Sequence, residues 1–359
     1  MAQCRIAVVG SINVDMTVLA ERIPLKGETV YGGDVLYSPG GKGANQAVAC
    51  ARLGAQVEMF GCVGNDENGK RMFHNLEENG VGTSHIKVLE GENTGLALIT
   101  VGEQDNTIVI VAGANKKVDL NYVDSIKEEL CSFDMVVLQQ EIPLEAMHEV
   151  VRFCYGRQIP VILNPAPAAK VPMEIVDKVT YLTPNEHEAA LIFKEQCEKD
   201  GNIIGSENMH SETKQTKEAS EILAVFGEKI EEKGKNGTSM PSAGESKGTE
   251  EESFLDKLLV KYPEKLIITQ GSRGVSVGLK DGSILRVPAQ KARVVDTTGA
   301  GDTLNGAFAV RMACGDSLKE ALTFANTAAG LSIEKMGAQG GMPTEEEVLA
   351  RMYVEYAEE

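Results

Sequence analysis

Apolar positions in this chain keep two rhythms, one of strands and one of helices, and the two alternate. Arg5 to Gly10 is a short apolar run, β-branched in part, which predicts a buried strand. Thr29 to Tyr37 carries β-formers interrupted by Gly32 and Gly33, which predicts a bent or bulged strand. Ala44, Ala47, Val48 and Ala51 share one face of a helix over Ala44–Leu53, with Gly54 as its stop. A strand over Gln56–Val63 and a helix over Asn68–Glu78 follow, the latter turning Met72, Phe73 and Leu76 inward. Gly95–Val101 and Thr107–Ala112 predict a hairpin. Beyond it, helices Asp119–Leu130 and Leu144–Tyr155 alternate with strands Asp134–Gln139 and Ile159–Asn164. A strand at Val179–Thr183 and a helix from Asn185 come next, and the chain closes with helices Thr303–Met312, Leu318–Ile333 and Thr344–Tyr353. Such alternation predicts an α/β fold, a Rossmann-like, mostly parallel sheet with helices on both faces. Segments 12–20, 29–38 and 95–112 have no helices between their strands. They predict a small antiparallel lid, one face of which needs cover from substrate or a second subunit.

One stretch breaks the rhythm. Lys194 to Lys257 holds nine Lys and fifteen Asp or Glu, a third of the chain's net charge of −18. Within it Lys214–Lys233 keeps a helical stripe of Ala219, Ile222, Leu223, Phe226 and Ile230, whereas Gly234–Ser253 carries four Gly, four Ser and almost no aliphatic side chains. We expect a mobile surface insertion over about 195–257 within a single domain spanning 1–359.

Composition narrows the class. The 359 residues, 42% of them apolar, suit a globular protein, and no run reaches the ~20 apolar residues of a membrane span. The acidic balance and the absence of Trp disfavour a nucleic-acid partner. Seven scattered cysteines without CxxC spacing suggest reduced thiols and a cytoplasmic location, and the five histidines show no metal spacing.

The stretch richest in chemistry is Val294–Phe308, VVDTTGAGDTLNGAF. A β-branched run ends in Gly299, Ala300 and Gly301, and after Asp302 a helical pattern starts. Strand, glycine turn and helix make an anion site, because the first-turn N–H groups lack intrahelical partners and the helix dipole is positive there. Two roles stand open for Asp302: an N-terminal cap, or the base that takes a proton from a hydroxyl attacking phosphorus. Pro39–Asn45, PGGKGAN, lacks the Ser or Thr of a Walker A loop and the third glycine of a dinucleotide fingerprint. It is either a plain strand-to-helix turn or a glycine loop whose N–H groups, Lys42 and Asn45 bind a polyhydroxylated ligand. Asn13 and Asp15 share one strand face and suit either a diol or a strand-end turn. Glu141, Asn164, Asn185 and Gly271–Gly274 each lie at or just past a strand's C-terminal end, where open α/β sheets bind ligands.

Taken together, GSINVD, GGKGANQA, AGAN, NPAPA, TPNEHEA, GSRGV, DTTGAGDTLNGA and KMGAQGGMP resemble the ribokinase family of PfkB-type sugar kinases over nearly the whole chain outside Lys194–Lys257. The resemblance implies ATP-dependent phosphorylation of D-ribose at its 5-hydroxyl, with Mg²⁺ and K⁺ as cofactors and a homodimer joined through the lids. It implies Asp302 as base and Gly299, Ala300 and Gly301 as the anion hole. Ribose would lie against Asn13, Val14, Asp15, Gly41, Lys42, Gly43, Ala44, Asn45 and Glu141, and ATP against Asn185, Thr269, Gln270, Gly271, Ser272, Arg273, Gly274, Gly301, Asp302 and Asn326. Asp296, Thr298, Ser332, Lys335, Gly337 and Gly341 would hold K⁺, and Glu188 is the acidic residue associated with Mg²⁺. The family often has Ser where Gly341 stands, so one hydroxyl is missing and water is expected in its place. Another sugar or nucleoside kinase of the same fold, and a non-catalytic sugar sensor, are the competing readings. A dinucleotide oxidoreductase is disfavoured by the missing third glycine.

Overall fold

The computed structural model describes residues 3–103, 105–199 and 248–358. Contacts divide the chain into one unit of Met1–Ile192 with Phe254–Glu359 and another of Phe193–Ser253. The expected helix Lys214–Lys233 and most of the expected insertion lie outside the described residues.

Strands β1 (Arg5–Val9), β4 (Gln56–Gly64), β5 (Val81–Leu89), β8 (Met135–Leu138), β9 (Val161–Leu163) and β10 (Tyr181–Leu182) form a six-stranded sheet in the order β10-β9-β8-β1-β4-β5. All of its pairings are parallel. Ile6, Ala7, Val8 and Val9 are fully buried, as a strand covered on both faces requires. Parallel bridges Leu182–Leu266 and Asn185–Thr269 lead on to an antiparallel sheet of β11 (Ile267–Thr269), β12 (Val275–Gly278) and β13 (Ile284–Val287). Strand β1 has β4 on one side and β8 on the other, so the chain order reverses there. The crevice beyond the carboxyl ends of β1 and β8 is therefore the place where such sheets take ligands.

Helices α1 (Lys42–Arg52), α2 (Glu67–Glu78), α3 (Leu120–Ile126), α4 (Leu144–Arg157), α5 (Met173–Lys178), α6 (Glu186–Lys199), α7 (Gly248–Lys261), α8 (Ala300–Ala313), α9 (Leu318–Ser332), the short α10 (Ala338–Gly341) and α11 (Glu345–Glu358) complete the described fold. Helices α1 and α8 approach closely because Gly306 has no side chain: a Cβ there would lie 2.6 Å from Ala49 Cβ. That approach brings the first turn of α1 to the first turn of α8.

The lid is a four-stranded sheet, β3 (Gly32–Gly40), β2 (Asn13–Ala20), β6 (Gly95–Gly102) and β7 (Asp105–Val111), in that order. Its outer pairs are antiparallel, but β2 and β6 run parallel, with Asp15 opposite Ala97. The intervening α1, β4, α2 and β5 supply the long crossover a parallel pair needs.

Other details depart from the sequence reading. Val294–Thr298 is not a strand. It finds no neighbouring strand, its Val295 and Asp296 N–H groups donate to the Ile333 carbonyl past the end of α9, and Val294 and Val295 are exposed. Strand β5 escapes the sequence because Gly82, Thr83, Ser84 and His85 blur its alternation. Strands β12 and β13 are four residues each, short enough to escape notice. Helix α7 begins at Gly248, inside the stretch expected to be irregular through Ser253.

Candidate active site

Asp302 sits in the first turn of α8, after Gly299 has turned the chain with φ +78°. Gly299 has to be glycine twice over, since a Cβ would also lie 2.9 Å from Ala338. Gly301 faces open space, so a ligand can approach the helix N-terminus there. The Ala300 N–H donates to Thr297 O at 3.3 Å, so this member of the expected anion hole already has a partner. The Asp302 carboxylate is buried and accepts from Asn45 Nδ2 and Gln46 Nε2, each at 2.9 Å. Gln46 also donates to Asn164 Oδ1 at 3.2 Å, and Gln139 Nε2 donates to Gln46 Oε1 at 2.7 Å. Asp302 is not the N-cap: Gly299 holds that position, without a side-chain cap.

A second carboxylate, Glu141, follows β8. Its Oε2 accepts from Ser11 Oγ at 2.5 Å and from the Lys42 N–H at 3.0 Å. The PGGKGAN glycines serve close packing as much as donation. A Cβ on Gly43 would lie 2.6 Å from Ser11 N, and one on Gly40 would lie 2.2 Å from Asp15 Oδ1. Gly41 turns into α1 at φ +88°. Asn13 Oδ1 accepts from Asn115 Nδ2 at 2.7 Å, while Asn115 Oδ1 accepts the Ile12 N–H. Val14 and Ala44, by contrast, belong to the hydrophobic core.

The charges are mutually dependent. Burial pushes the Asp15 carboxyl up to about 6, and Glu141 and Asp302 push the same way against Lys42. Asp302 is raised by burial too, while Lys42, Asn45 and Gln46 oppose the shift. Burial pulls the Lys42 ammonium down, but Asp302, Glu141, Glu188 and Asp15 outweigh it and the net shift is upward. One cation therefore stands among four carboxylates.

On the far side of Lys42, Glu188 and Asn185 cap α6 reciprocally: Glu188 Oε2 accepts the Asn185 N–H at 2.9 Å and Asn185 Oδ1 the Glu188 N–H at 2.8 Å. Glu188 is raised by burial. Asn185 bridges to Thr269, while Gln270 and Arg273 both bond Glu186. Gly274 packs against Pro288, whose carbonyl accepts from Asn326 Nδ2 at 2.5 Å. Asn185, Thr269–Gly274 and Asn326 are thus joined by one run of contacts.

Behind Gly299, the Asp296 carboxylate accepts the Thr298 N–H at 2.9 Å and the Gly337 N–H at 2.8 Å, which hold it below its ordinary range against burial. Gly341 lies against Ser332, and a Cβ on it would stand 2.1 Å from the Ser332 carbonyl oxygen. Asp296, Thr298, Gly337, Gly341 and Ser332 are thus linked around this turn, and the Lys335 ammonium bonds Glu347, away from the main-chain oxygen the sequence reading assigned to K⁺.

The site thus brings a glycine-opened helix with a buried carboxylate together with a cluster of amides, carboxylates and one ammonium. The sequence profile of pfkB family carbohydrate kinases matches residues 3–224 and 220–345. The chain belongs to this family. Among relatives, the ribokinase of Bacillus subtilis is 41% identical over 343 residues, covering 96% of this chain and 97% of its own. The ribokinase of Lactococcus lactis is 37% identical over 350 residues, 97% of each. An Arabidopsis thaliana ribokinase, solved in complex with ribose and ATP, superposes with a TM-score of 0.73 at 29% identity over 98% of both chains.

In this pfkB kinase the sequence missed Ser11, Gln46, Asn115, Gln139 and Gln339 as parts of the site. Ser11, Gln46, Asn115 and Gln339 stand inside the motifs above. Their roles depend on contacts 93 to 294 residues away, which local spacing does not encode.

Proposed function

We propose that the protein transfers the γ-phosphoryl group of ATP to the 5-hydroxyl of D-ribose, giving ribose 5-phosphate and ADP. The observation that carries this reading is Asp302, a buried carboxylate placed where α8 presents its first-turn N–H groups and where Lys42, Asn45, Asp15 and Glu141 converge. Phosphoryl transfer needs positioning and charge stabilisation more than covalent chemistry. Asp302 takes the proton from the 5-hydroxyl, and the N–H groups of Gly301 and Asp302 face the transferred phosphoryl. Asn13, Asp15, Gly41, Lys42, Asn45 and Glu141 hold the sugar. Asn185, Thr269–Gly274 and Asn326 line the nucleotide side. The lid excludes water, which limits idle hydrolysis of ATP.

Two ions fit the residues present. Glu188 is a buried carboxylate that accepts the Asn185 N–H and faces Lys42, yet burial still raises it, which suits Mg²⁺ carried in by the phosphates. When bound there, Mg²⁺ would supply positive charge against that developing on the phosphates. Among the described residues no group of three or more His, Cys, Asp or Glu side chains forms a metal site by itself. Asp296 and the carbonyls of Ser332, Lys335 and Gly337 give the hard oxygen donors K⁺ prefers. Gly341 leaves no room for a hydroxyl side chain beside the Ser332 carbonyl, so the donor set is carbonyl-rich.

The decisive assay is ADP release over a panel of pentoses, with and without K⁺. D-ribose is expected to be the best substrate and K⁺ to activate. No turnover with any pentose would leave the sensor reading standing.

Asp15 gives a pH signature. Its ionised form accepts two sugar hydroxyls, so ribose affinity falls as pH drops through about 6. Asp15→Asn is expected to flatten that dependence. Charge-assisted hydrogen bonds contribute ~1.5–3 kcal/mol, so the ribose Kd should rise roughly 10- to 100-fold.

The lid has an uncovered apolar surface. Val35, Leu36 and Tyr37 on β3 and Ile108, Val109, Ile110 and Val111 on β7 are all exposed, and both are edge strands. Such a patch supports a homodimer through the lids. Ile110→Lys is expected to yield a monomer by light scattering where the parent chain is a dimer.

A further inference from the structure

An ionised carboxylate has no hydrogen to give, so every group bonded to Asp302 must donate. That requirement fixes the direction of two chains of buried side-chain amides. In the first, Gln46 turns Nε2 toward Asp302 Oδ1 and Asn164 Oδ1, so its carbonyl faces away and accepts from Gln139 Nε2 at 2.7 Å. In the second, Asn45 turns Nδ2 toward Asp302 Oδ2, its carbonyl accepts from Gln339 Nε2 at 3.0 Å, and the Gln339 carbonyl accepts from Asn75 Nδ2 at 2.8 Å. Both chains run head to tail and end on the two oxygens of one carboxylate.

The first chain carries a visible cost. Gln139 Oε1 is buried with no hydrogen-bond partner among the described residues. It points at Gly10, where a Cβ would lie 2.1 Å from it. Turning the Gln139 amide over would set its carbonyl against that of Gln46. The orphaned oxygen is thus a consequence of serving Asp302, and buried polar groups are rarely left so without a reason.

We propose that the two amide chains are a positioning device for the base, fixing the rotation of the Asp302 carboxylate and keeping it ionised, with Gln46 and Gln339 as positioning residues. This rests on the reading of Asp302 as base. Neutral amides suit the task better than a contacting cation. An ion pair lowers a carboxyl by about 1–3 pKa units and would weaken the base. Amides stabilise the anion less and leave it able to take a proton. Burial opposes them by raising Asp302. The charged groups around it are Lys42 at the start of α1, Glu141 after β8 and Asp15 on β2, and none belongs to either chain.

The test measures kcat against pH, at saturating ribose and ATP, for Gln46→Met and Gln339→Leu. Asp302→Asn serves as reference. Loss of either chain should move the acidic limb of kcat upward by roughly half to one pH unit, and lower kcat about 10-fold at its maximum, the scale of one hydrogen bond to a charged group. The ATP KM should hold within about twofold, since a hydrogen bond lost only at the base is not made to ATP. Gln339 does not touch Asp302, so the same limb shift from Gln339→Leu is the specific signature, and it stands alone if Gln46→Met fails to fold. Melting temperatures separate packing from positioning. A lower melting temperature with an unmoved acidic limb would overturn the proposal. A nearly active Asp302→Asn would instead overturn the base reading itself, so the two failures are distinct.

Discussion

Asp302→Asn is expected to reduce kcat by ~10²–10⁴-fold, the usual contribution of a general base. Asparagine keeps the shape, yet it cannot accept the hydroxyl proton. It also cannot satisfy both neighbours. Its own NH₂ would face the Nδ2 of Asn45 or the Nε2 of Gln46, each at 2.9 Å from a carboxylate oxygen now, and one of those amides must turn. The loss should fall in kcat, with ATP binding nearly unchanged, because Asn185, Thr269 and Asn326 are untouched. Rapid-quench or steady-state rates at saturating substrates check it. A variant within about threefold of the parent lies outside that range and removes Asp302 from the role.

Lys42→Met is expected to damage stability and turnover together, in a pH-dependent way. Lys42 is the cation facing Asp15, Glu141, Glu188 and Asp302. Without it the carboxylates repel one another in a partly desolvated space. Breaking a buried charge pair costs ~3–5 kcal/mol, and the low end applies because Lys42 is partly open to solvent. The sign follows from the direction of the shifts. Asp15, Glu188 and Asp302 are all raised in the folded protein. A raised carboxyl contributes stability fully below its unfolded value, near 4, and that contribution disappears as pH rises through the folded value, about 6 for Asp15. Removing Lys42 raises these groups further. The variant should therefore unfold much like the parent at about pH 4, and show the full deficit above about pH 7. Denaturant unfolding at the two extremes measures it, and an equal deficit at both would mean that Lys42 contributes packing only. Ribose turnover should fall by at least 10-fold, about the effect of one charge-assisted contact.

Much of this site was legible in the sequence, and the reason is local. Gly299, Asp302, Lys42, Asn45, Asn13 and Asp15 stand within a few residues of a strand end or a helix start, so periodicity and turn chemistry place them. Gly43 and Gly341 were legible as glycines, but not for what they do: each excludes a side chain from a neighbouring backbone, Ser11 and the Ser332 carbonyl. The parallel pairing of β2 with β6 was not legible, since strand composition does not record which partner a strand finds. Val294–Thr298 has strand composition and no strand: among the described residues its Val295 and Asp296 N–H groups find the Ile333 carbonyl after a helix end rather than a neighbouring strand. Gln46 and Gln339 were invisible for a related reason. A buried glutamine is identified by its partners, and those partners are 256 and 294 residues away in the chain.

The short span between β1 and β2 has a consequence for how affinity should be interpreted. Only Gly10, Ser11 and Ile12 separate the central sheet from the lid, and β2 itself carries Asn13 and Asp15. On the proposed placement of ribose, the lid is part of the sugar site as well as its cover. On that placement any outward swing withdraws two of the groups assigned to the sugar. An apparent ribose Kd then combines an intrinsic constant with the fraction of molecules whose lid is closed, and it scales inversely with that fraction. Whatever rests on the outer surface of β3 and β7 can retune ribose affinity from a distance, by changing how often the site exists.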